Sequence, residues 1–179
     1  MPRAFFLFIT LLFLQHAATA QSREDRLYWE PGLKLKWDDF RGTPNQQSWF
    51  GASASTGIIY RVAFKGNNMA HLANAYFLRT KSWRKYNQGA EILLHEQGHF
   101  HITKIYALRL DSAFRVLAST PLDRSQKETE FKALGRYFIQ LKNLEQLKYD
   151  EETSGGDDSA VQQRWNNYIQ KELKRLLAY

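Results

Sequence analysis

Two histidines four residues apart, His95 and His99, stand in the apolar stretch EILLHEQGHFHIT at residues 91–103. An α-helix turns by about 100° per residue, so side chains four positions apart lie on one face. On a helix, both imidazoles can therefore reach one metal ion. Glu96 stands beside these ligands rather than among them, which is where a general base is needed. Two histidines and a glutamate at this spacing form the signature of zinc hydrolases.

The residues around the motif predict a helix that packs into a core. Apolar side chains both precede and follow the histidines, among them Leu93, Leu94, Phe100, Ile102 and Ile105. Polar histidines in such a helix need partners, because burying an unpaired polar group costs free energy. Two core histidines bonded to neighbouring carbonyl groups are the alternative to a metal site.

The first twenty residues have the composition of a secretory signal peptide. Arg3 supplies a positive charge, an apolar run extends from Phe5 to Leu14, and small residues at 18–20 suit a cleavage site. The run is much shorter than the roughly 20 apolar residues of a membrane span. We therefore predict a bacterial protein that is exported to the periplasm or secreted, and that is not an integral membrane protein. A retained amphipathic anchor is the alternative.

Removal of residues 1–20 leaves a single predicted domain at residues 21–179, beginning at Gln21, which is large enough for its own core. The chain has no cysteine, so an exported form must be stabilised by packing, with or without a metal. Its formal net charge of +7 favours an anionic cell-envelope component or acidic substrates as partners. No basic stripe with interleaved aromatic residues occurs, which argues against nucleic acid.

The first half of this domain has the patterns of β-structure. Leu33, Leu35 and Trp37 alternate with lysines, which predicts a half-buried strand. Two further strands are predicted over residues 52–64 and 69–80, and the turn residues between them favour an antiparallel hairpin.

The second half has helical periodicity. We predict a long helix from Gln88 to about Ser119, a second from Arg124 to Lys148 and a third from about Ala160 to Leu177. Residues 151–159 are acidic and contain glycine, so a loop is expected there. The predicted fold class is α+β, in which a small antiparallel sheet precedes the long helix with the histidine pair and two further helices.

Three separated blocks resemble an exported bacterial family, a domain of unknown function described as predicted secreted zinc-dependent proteases. The blocks are LKWDDFRGTP at residues 35–44, HEQGHF at residues 95–100, and YDEET at residues 149–153 followed by Gln162 and Trp165. This resemblance implies a zincin-like metallopeptidase. In zincins an edge strand beside the active helix holds the substrate backbone, and the resemblance assigns that role to the strand at 69–80.

The chain departs from the family pattern at two places. The family usually has an aspartate where this chain has His101, and a histidine-glycine pair where it has Gly155 and Gly156. No histidine follows His101, so a downstream third ligand must be a carboxylate. Asp150 is the first choice, because it belongs to a matching block near a predicted helix end. Its rivals are Glu151, Glu152, Asp157 and Asp158, and a solvated or capping role for Asp150 is the alternative.

The two remaining histidines are weaker candidates. His101 is about 200° round the helix from His99, which turns it away from the metal. His71 alternates with apolar residues in a predicted strand and can point to either face. Neither is expected to be a ligand, since a catalytic zinc usually takes three protein ligands of compatible direction.

These residues predict a zinc site of His95, His99 and Asp150, with Glu96 as the general base for hydrolysis of a peptide or protein substrate. Tyr149 is expected to pack in the core rather than to donate to an oxyanion. The competing interpretation is a catalytically impaired zincin-like module. Such a module holds zinc for stability, or holds none, and docks an envelope component.

Overall fold

The computed structural model describes residues 25–178. The predicted signal peptide at residues 1–20 and the predicted start of the exported chain at Gln21 lie outside the described residues. Within them, five strands precede three α-helices, which confirms the predicted α+β class. The helices are α1 (Ala90–Ala118), α2 (Arg124–Thr153) and α3 (Ser159–Leu177).

The predicted hairpin is the largest part of the sheet. Strands β3 (Thr56–Lys65) and β4 (Asn68–Leu78) pair antiparallel across a two-residue turn at Gly66 and Asn67. Strand β1 (Arg26–Tyr28) takes the other side of β4, so the strand order is β1-β4-β3. The expected edge position of the strand at 69–80 is therefore wrong at residues 76–78, where β4 has a strand on each side, whereas residues 68–75 of β4 pair with β3 alone among the described strands. The two outer strands of this sheet are β1 and β3.

The predicted strand at 52–64 is interrupted after its first two residues. Strand β2 (Ala52–Ser53) pairs with β5 (Trp83–Arg84) in a separate two-stranded sheet, and β3 begins at Thr56. At the break, the amide of Ala54 donates to Glu96 Oε2 at 2.6 Å. This amide bonds to a helix side chain instead of a neighbouring strand, so the break brings the backbone against α1.

The predicted half-buried strand at Leu33–Trp37 is wrong. Residues 33–36 have no strand partner, and a short 3₁₀ helix follows at Trp37–Asp39. Leu35 is buried as the alternation predicted, but its amide donates to Gln97 Oε1 at 2.7 Å. A side chain of α1 therefore replaces the strand that the pattern led us to expect.

Helix α1 is central in the fold, because it contacts the hairpin, α2 and α3. Its buried aromatic residues contact both the hairpin and α2. Phe100 contacts Phe77 of β4, and Phe114 stacks on Phe131 of α2 with ring centroids 4.2 Å apart. Helix α2 runs on to Thr153, beyond its predicted end, so the first part of the predicted loop is helical. No helix within residues 25–178 has the length and apolar character that crossing a membrane requires.

Candidate metal centre

The side chains of His95, His99 and Asp150 converge where the last turn of α2 meets α1. Asp150 Oδ1 lies 3.1 Å from His95 Nε2 and 2.9 Å from His99 Nε2, and the two nitrogens are 3.2 Å apart. Ligand atoms about 2.0–2.1 Å from a tetrahedral zinc are separated by roughly 3.3 Å. The group is therefore compact enough to hold a metal ion.

The proton positions at His95 also suit a cation. Gln162 Oε1 lies 3.0 Å from His95 Nδ1. An amide oxygen only accepts, so Nδ1 carries the proton and Nε2 directs its lone pair towards Asp150. The carboxylate is itself an acceptor, which leaves at least two acceptor atoms in contact. A cation bonded to both nitrogens and to the carboxylate satisfies all three groups at once.

The orientation of Gln162 is fixed by its own partners. Its amide nitrogen donates to the Tyr149 hydroxyl at 2.7 Å and to Asn166 Oδ1 at 2.9 Å. Because both partners accept, the amide oxygen must be the atom that faces His95. The outer hydrogen bond of a metal-ligating histidine sets its tautomer and ring direction. Gln162 has the position and the orientation for that role.

Burial and hydrogen bonding act in opposite directions on the two carboxyl groups of the site. Burial raises the pKa of Asp150, but the close contacts of its carboxylate with the His95 and His99 imidazoles outweigh burial and hold that pKa well below its ordinary value. Burial also raises the pKa of Glu96, and here it prevails over the histidines and the Ala54 amide, which lower it. Asp150 is therefore an anionic ligand at neutral pH, whereas Glu96 is a stronger base than an exposed glutamate.

Tyr149 packs against the side chain of His95. Its ring is stacked on that of His95, with centroids 4.5 Å apart and planes 11° apart, and its hydroxyl donates to the His95 carbonyl oxygen at 3.1 Å. The backbone of α1 leaves room for this ring at Gly98, where any Cβ would overlap the tyrosine hydroxyl. Tyr149 therefore aligns α1 with α2 and places the adjacent Asp150 on the histidines.

The backbone just after α2, at Gly155 and Gly156, lies close to His95. Gly156 has φ +99°, and a Cβ there would lie 2.9 Å from His95 Cβ. Gly155 has φ +67° and lies against the ring of Phe50, which is 46% exposed. These two glycines allow close approach of the backbone to His95 and to Phe50.

The alternative residues from the sequence lie elsewhere. Glu152 accepts from Trp165 Nε1 at 2.9 Å, Asp158 caps the first turn of α3, and Glu151 and Asp157 are exposed. Among residues 25–178, the group that could hold a metal ion contains none of these four.

The other two histidines of the domain also lie away from the cluster. His71 Nδ1 is 3.0 Å from Asp111 Oδ1, further along α1. His101 lies on the opposite side of α1, with its Nε2 2.9 Å from Gln97 Nε2, and burial lowers its pKa to about 4.

Two contributors to this site were missing from the sequence-based prediction: Gln162 as the partner of His95, and the Ala54 amide as the partner of Glu96. Gln162 carries a detectable signal. It shares the spacing of the buried residues Trp165, Ile169 and Leu173, so it is a polar residue on the apolar face of α3. The contact of Ala54 depends on tertiary structure.

Comparisons of the chain with protein-family models, with curated proteins and with solved structures give no match. A function must therefore be argued from the arrangement of these side chains.

Proposed function

We propose that this protein is an exported, zincin-like zinc peptidase that hydrolyses peptide bonds in a peptide or protein substrate. The observation that carries the proposal is the convergence of His95, His99 and Asp150 within 3.2 Å of one another, directly beside the buried carboxylate of Glu96. The membership in the family of predicted secreted proteases is part of the proposal and rests on the sequence blocks. Export rests on the sequence of residues 1–20.

The donor set supports zinc. Two imidazoles and one carboxylate are the protein ligands of a well-known class of catalytic zinc sites, which keep a further position for water or substrate. The same donor set also binds iron(II) in some oxygenases. The position of Glu96, one residue after a ligand and on the same helix, is typical of hydrolysis. Elemental analysis of the purified protein distinguishes the two metals.

The buried carboxylate of Glu96 is the proposed general base. Its Oε2 accepts from the Ala54 amide, and we assign proton transfer to its other oxygen. When bound, the zinc ion supplies Lewis acidity, which acidifies water and polarises a carbonyl group. Glu96 removes a proton from the attacking water and then gives it to the leaving amine, so that one water molecule is added across the peptide bond.

The edge strand beside the site is β3, and the segment just before it contacts Glu96. We propose that an extended substrate lies along residues 53–56, where the chain leaves the two-stranded sheet and Ala54 already faces α1. The partly exposed ring of Phe50, which lies against Gly155, offers an apolar contact.

The test separates metal binding from catalysis. Glu96→Gln is expected to bind zinc in the same amount as the wild type while losing at least 100-fold of chelator-sensitive activity on a casein-type substrate, since a positioned base contributes about 10²–10⁴-fold. Asp150→Ala is expected to lose both zinc affinity and activity. Glu91→Gln and Glu151→Ala are the matched controls, because both glutamates are exposed. Full activity of Glu96→Gln would reject the general-base role.

The second candidate is an impaired module that holds zinc for stability and docks an anionic envelope component. The glycines at 155 and 156, in place of the family's histidine-glycine pair, favour it. Bound zinc that raises the melting temperature, together with no turnover on peptide libraries, would support the module over the peptidase.

A further inference from the structure

A large cavity lies on the side of α1 that faces away from His95, His99 and Asp150. It has a volume of about 730 Å³ and lies between residues 29–35, the first turns of α1 and the last turns of α3. That volume is within the range of about 300–1,000 Å³ that is usual for ligand pockets. Gln97 and His101 line it, whereas His95 and His99 project from the other side of the same helix.

The walls of this cavity are aliphatic. Trp29, Leu35 and Leu173 form its buried part, while Leu94 and Leu177 are 48% and 45% exposed although they line a concave surface. A ligand that covers exposed apolar area at a concave site is stabilised, because that area is removed from water. The cavity therefore favours a ligand with an aliphatic chain.

The polar side chains Gln97 and His101 of the floor are already paired, whereas the Nε1 atom of the lining residue Trp29 is buried without a hydrogen-bond partner. Gln97 Oε1 accepts from the Leu35 amide at 2.7 Å, and Gln97 Nε2 lies 2.9 Å from His101 Nε2. A polar ligand would have to break these contacts in order to bind deeply. The buried end of the ligand is consequently apolar.

The charges around the cavity all have one sign. Its charged lining residues are Lys34 and Lys174, both exposed, and no aspartate or glutamate is among the lining residues. An anionic head group at the mouth is attracted by both lysines, and a cationic head group is repelled.

We propose that this cavity binds a free fatty acid, with the aliphatic chain among the leucines and the carboxylate near Lys34 and Lys174. The proposal is independent of the peptidase proposal, because it uses a different face of α1 and no metal. It assigns the chain a second binding site for a ligand of a different chemical class.

The experiment is calorimetric titration of the full domain with laurate and with dodecyltrimethylammonium, which has the same chain length and a cationic head, each below its micelle concentration. Laurate is expected to bind at one site, and the cation at least tenfold more weakly. Lys34→Glu combined with Lys174→Glu should weaken laurate binding by about tenfold and strengthen binding of the cation. Leu177→Asp, which places a charge in the cavity, should weaken laurate binding by tenfold or more.

Lys132→Glu and Leu147→Asp are the matched controls, because both residues are exposed on α2 and neither lines the cavity. Both variants should bind laurate as the wild type does. Absence of laurate binding, equal affinity for the two head groups, or unchanged binding by Leu177→Asp in a folded protein would overturn the proposal. The proposal would also be overturned if the protein cosedimented with anionic phospholipid vesicles but did not bind free laurate. That result would indicate that this face binds a membrane surface.

Discussion

Replacement of Gln162 by leucine tests whether the metal site depends on a residue that touches no metal. Leucine has nearly the same size but neither accepts nor donates. The substitution removes the acceptor for His95 Nδ1 at 3.0 Å and the donor to the Tyr149 hydroxyl at 2.7 Å. Without that acceptor, the proton of His95 is no longer held on the nitrogen that faces away from the metal.

The magnitude follows from what remains around His95. Loss of the outer partner of a ligating histidine typically lowers metal affinity by about 10- to 100-fold, which is about 1.4–2.8 kcal/mol. Thr153 Oγ1 lies 3.4 Å from the same nitrogen and can accept part of the lost hydrogen bond. We therefore expect the lower end, a loss of about tenfold. The metal-free variant should also lose about 1–3 kcal/mol of unfolding free energy, because polar atoms are left buried.

Competition with a chromophoric chelator measures the zinc affinity, and urea denaturation in the presence of a chelator measures the stability. Gln163→Leu is the matched control. Gln163 is the neighbouring residue, it is exposed, and it donates to Asn167 as Gln162 does to Asn166. Unchanged zinc affinity in a folded Gln162→Leu variant would refute the reasoning that Gln162 sets the tautomer of His95.

Two further predictions concern stability. Gly156→Ala should lower the unfolding free energy by about 1–2 kcal/mol, because alanine is strained at the positive φ of this position. It should also bind zinc more weakly, since the new Cβ would press on His95. Gly66→Ala, at φ +59° with no atom near the new Cβ, should lower the unfolding free energy only through backbone strain and should bind zinc normally. Equal zinc affinity of the two variants would contradict this prediction. Hydrogen bonds from Arg175 and Arg109 lower the pKa of Glu172 to about 2. A lowered pKa stabilises the fold above the unfolded value near 4.5, so Glu172→Gln should lower the unfolding free energy by about 1 kcal/mol at pH 7. In urea titrations this difference should shrink as the pH falls from 4.5 towards 2, and a difference independent of pH would exclude the ion pairs as its cause.

The sequence predicts most of the helices and the hairpin, because their patterns are local. Periodicity places α1 within two residues of its observed start and within one of its end. The hairpin follows from two β-rich runs and a turn. The prediction of a strand at residues 33–37 is wrong for a physical reason. An alternating pattern shows only that one side of the segment packs against an apolar neighbour, and here that neighbour is α1 rather than a strand.

The site is predictable only in part. His95, Glu96 and His99 are related by helix geometry, and one helix is enough to place them. A third ligand from another helix depends on how α1 and α2 are aligned, which no local pattern describes. The loop predicted at residues 151–159 is wrong at its start, because Thr153 is buried against His95 and donates to the Tyr149 carbonyl oxygen, which keeps the last turn of α2 helical.

The lack of a side chain at Gly98 has a consequence for protein engineering. A design that copies the two histidines, the glutamate and a carboxylate onto another helix pair would reproduce the donor atoms but not their meeting point. The distance between the helices is set by a tyrosine ring seated where a side chain is missing. The smallest unit that can be transplanted is therefore Gly98 with Tyr149 as well as the ligands, and a conventional helix-stabilising replacement of that glycine by alanine would push the third donor out of reach.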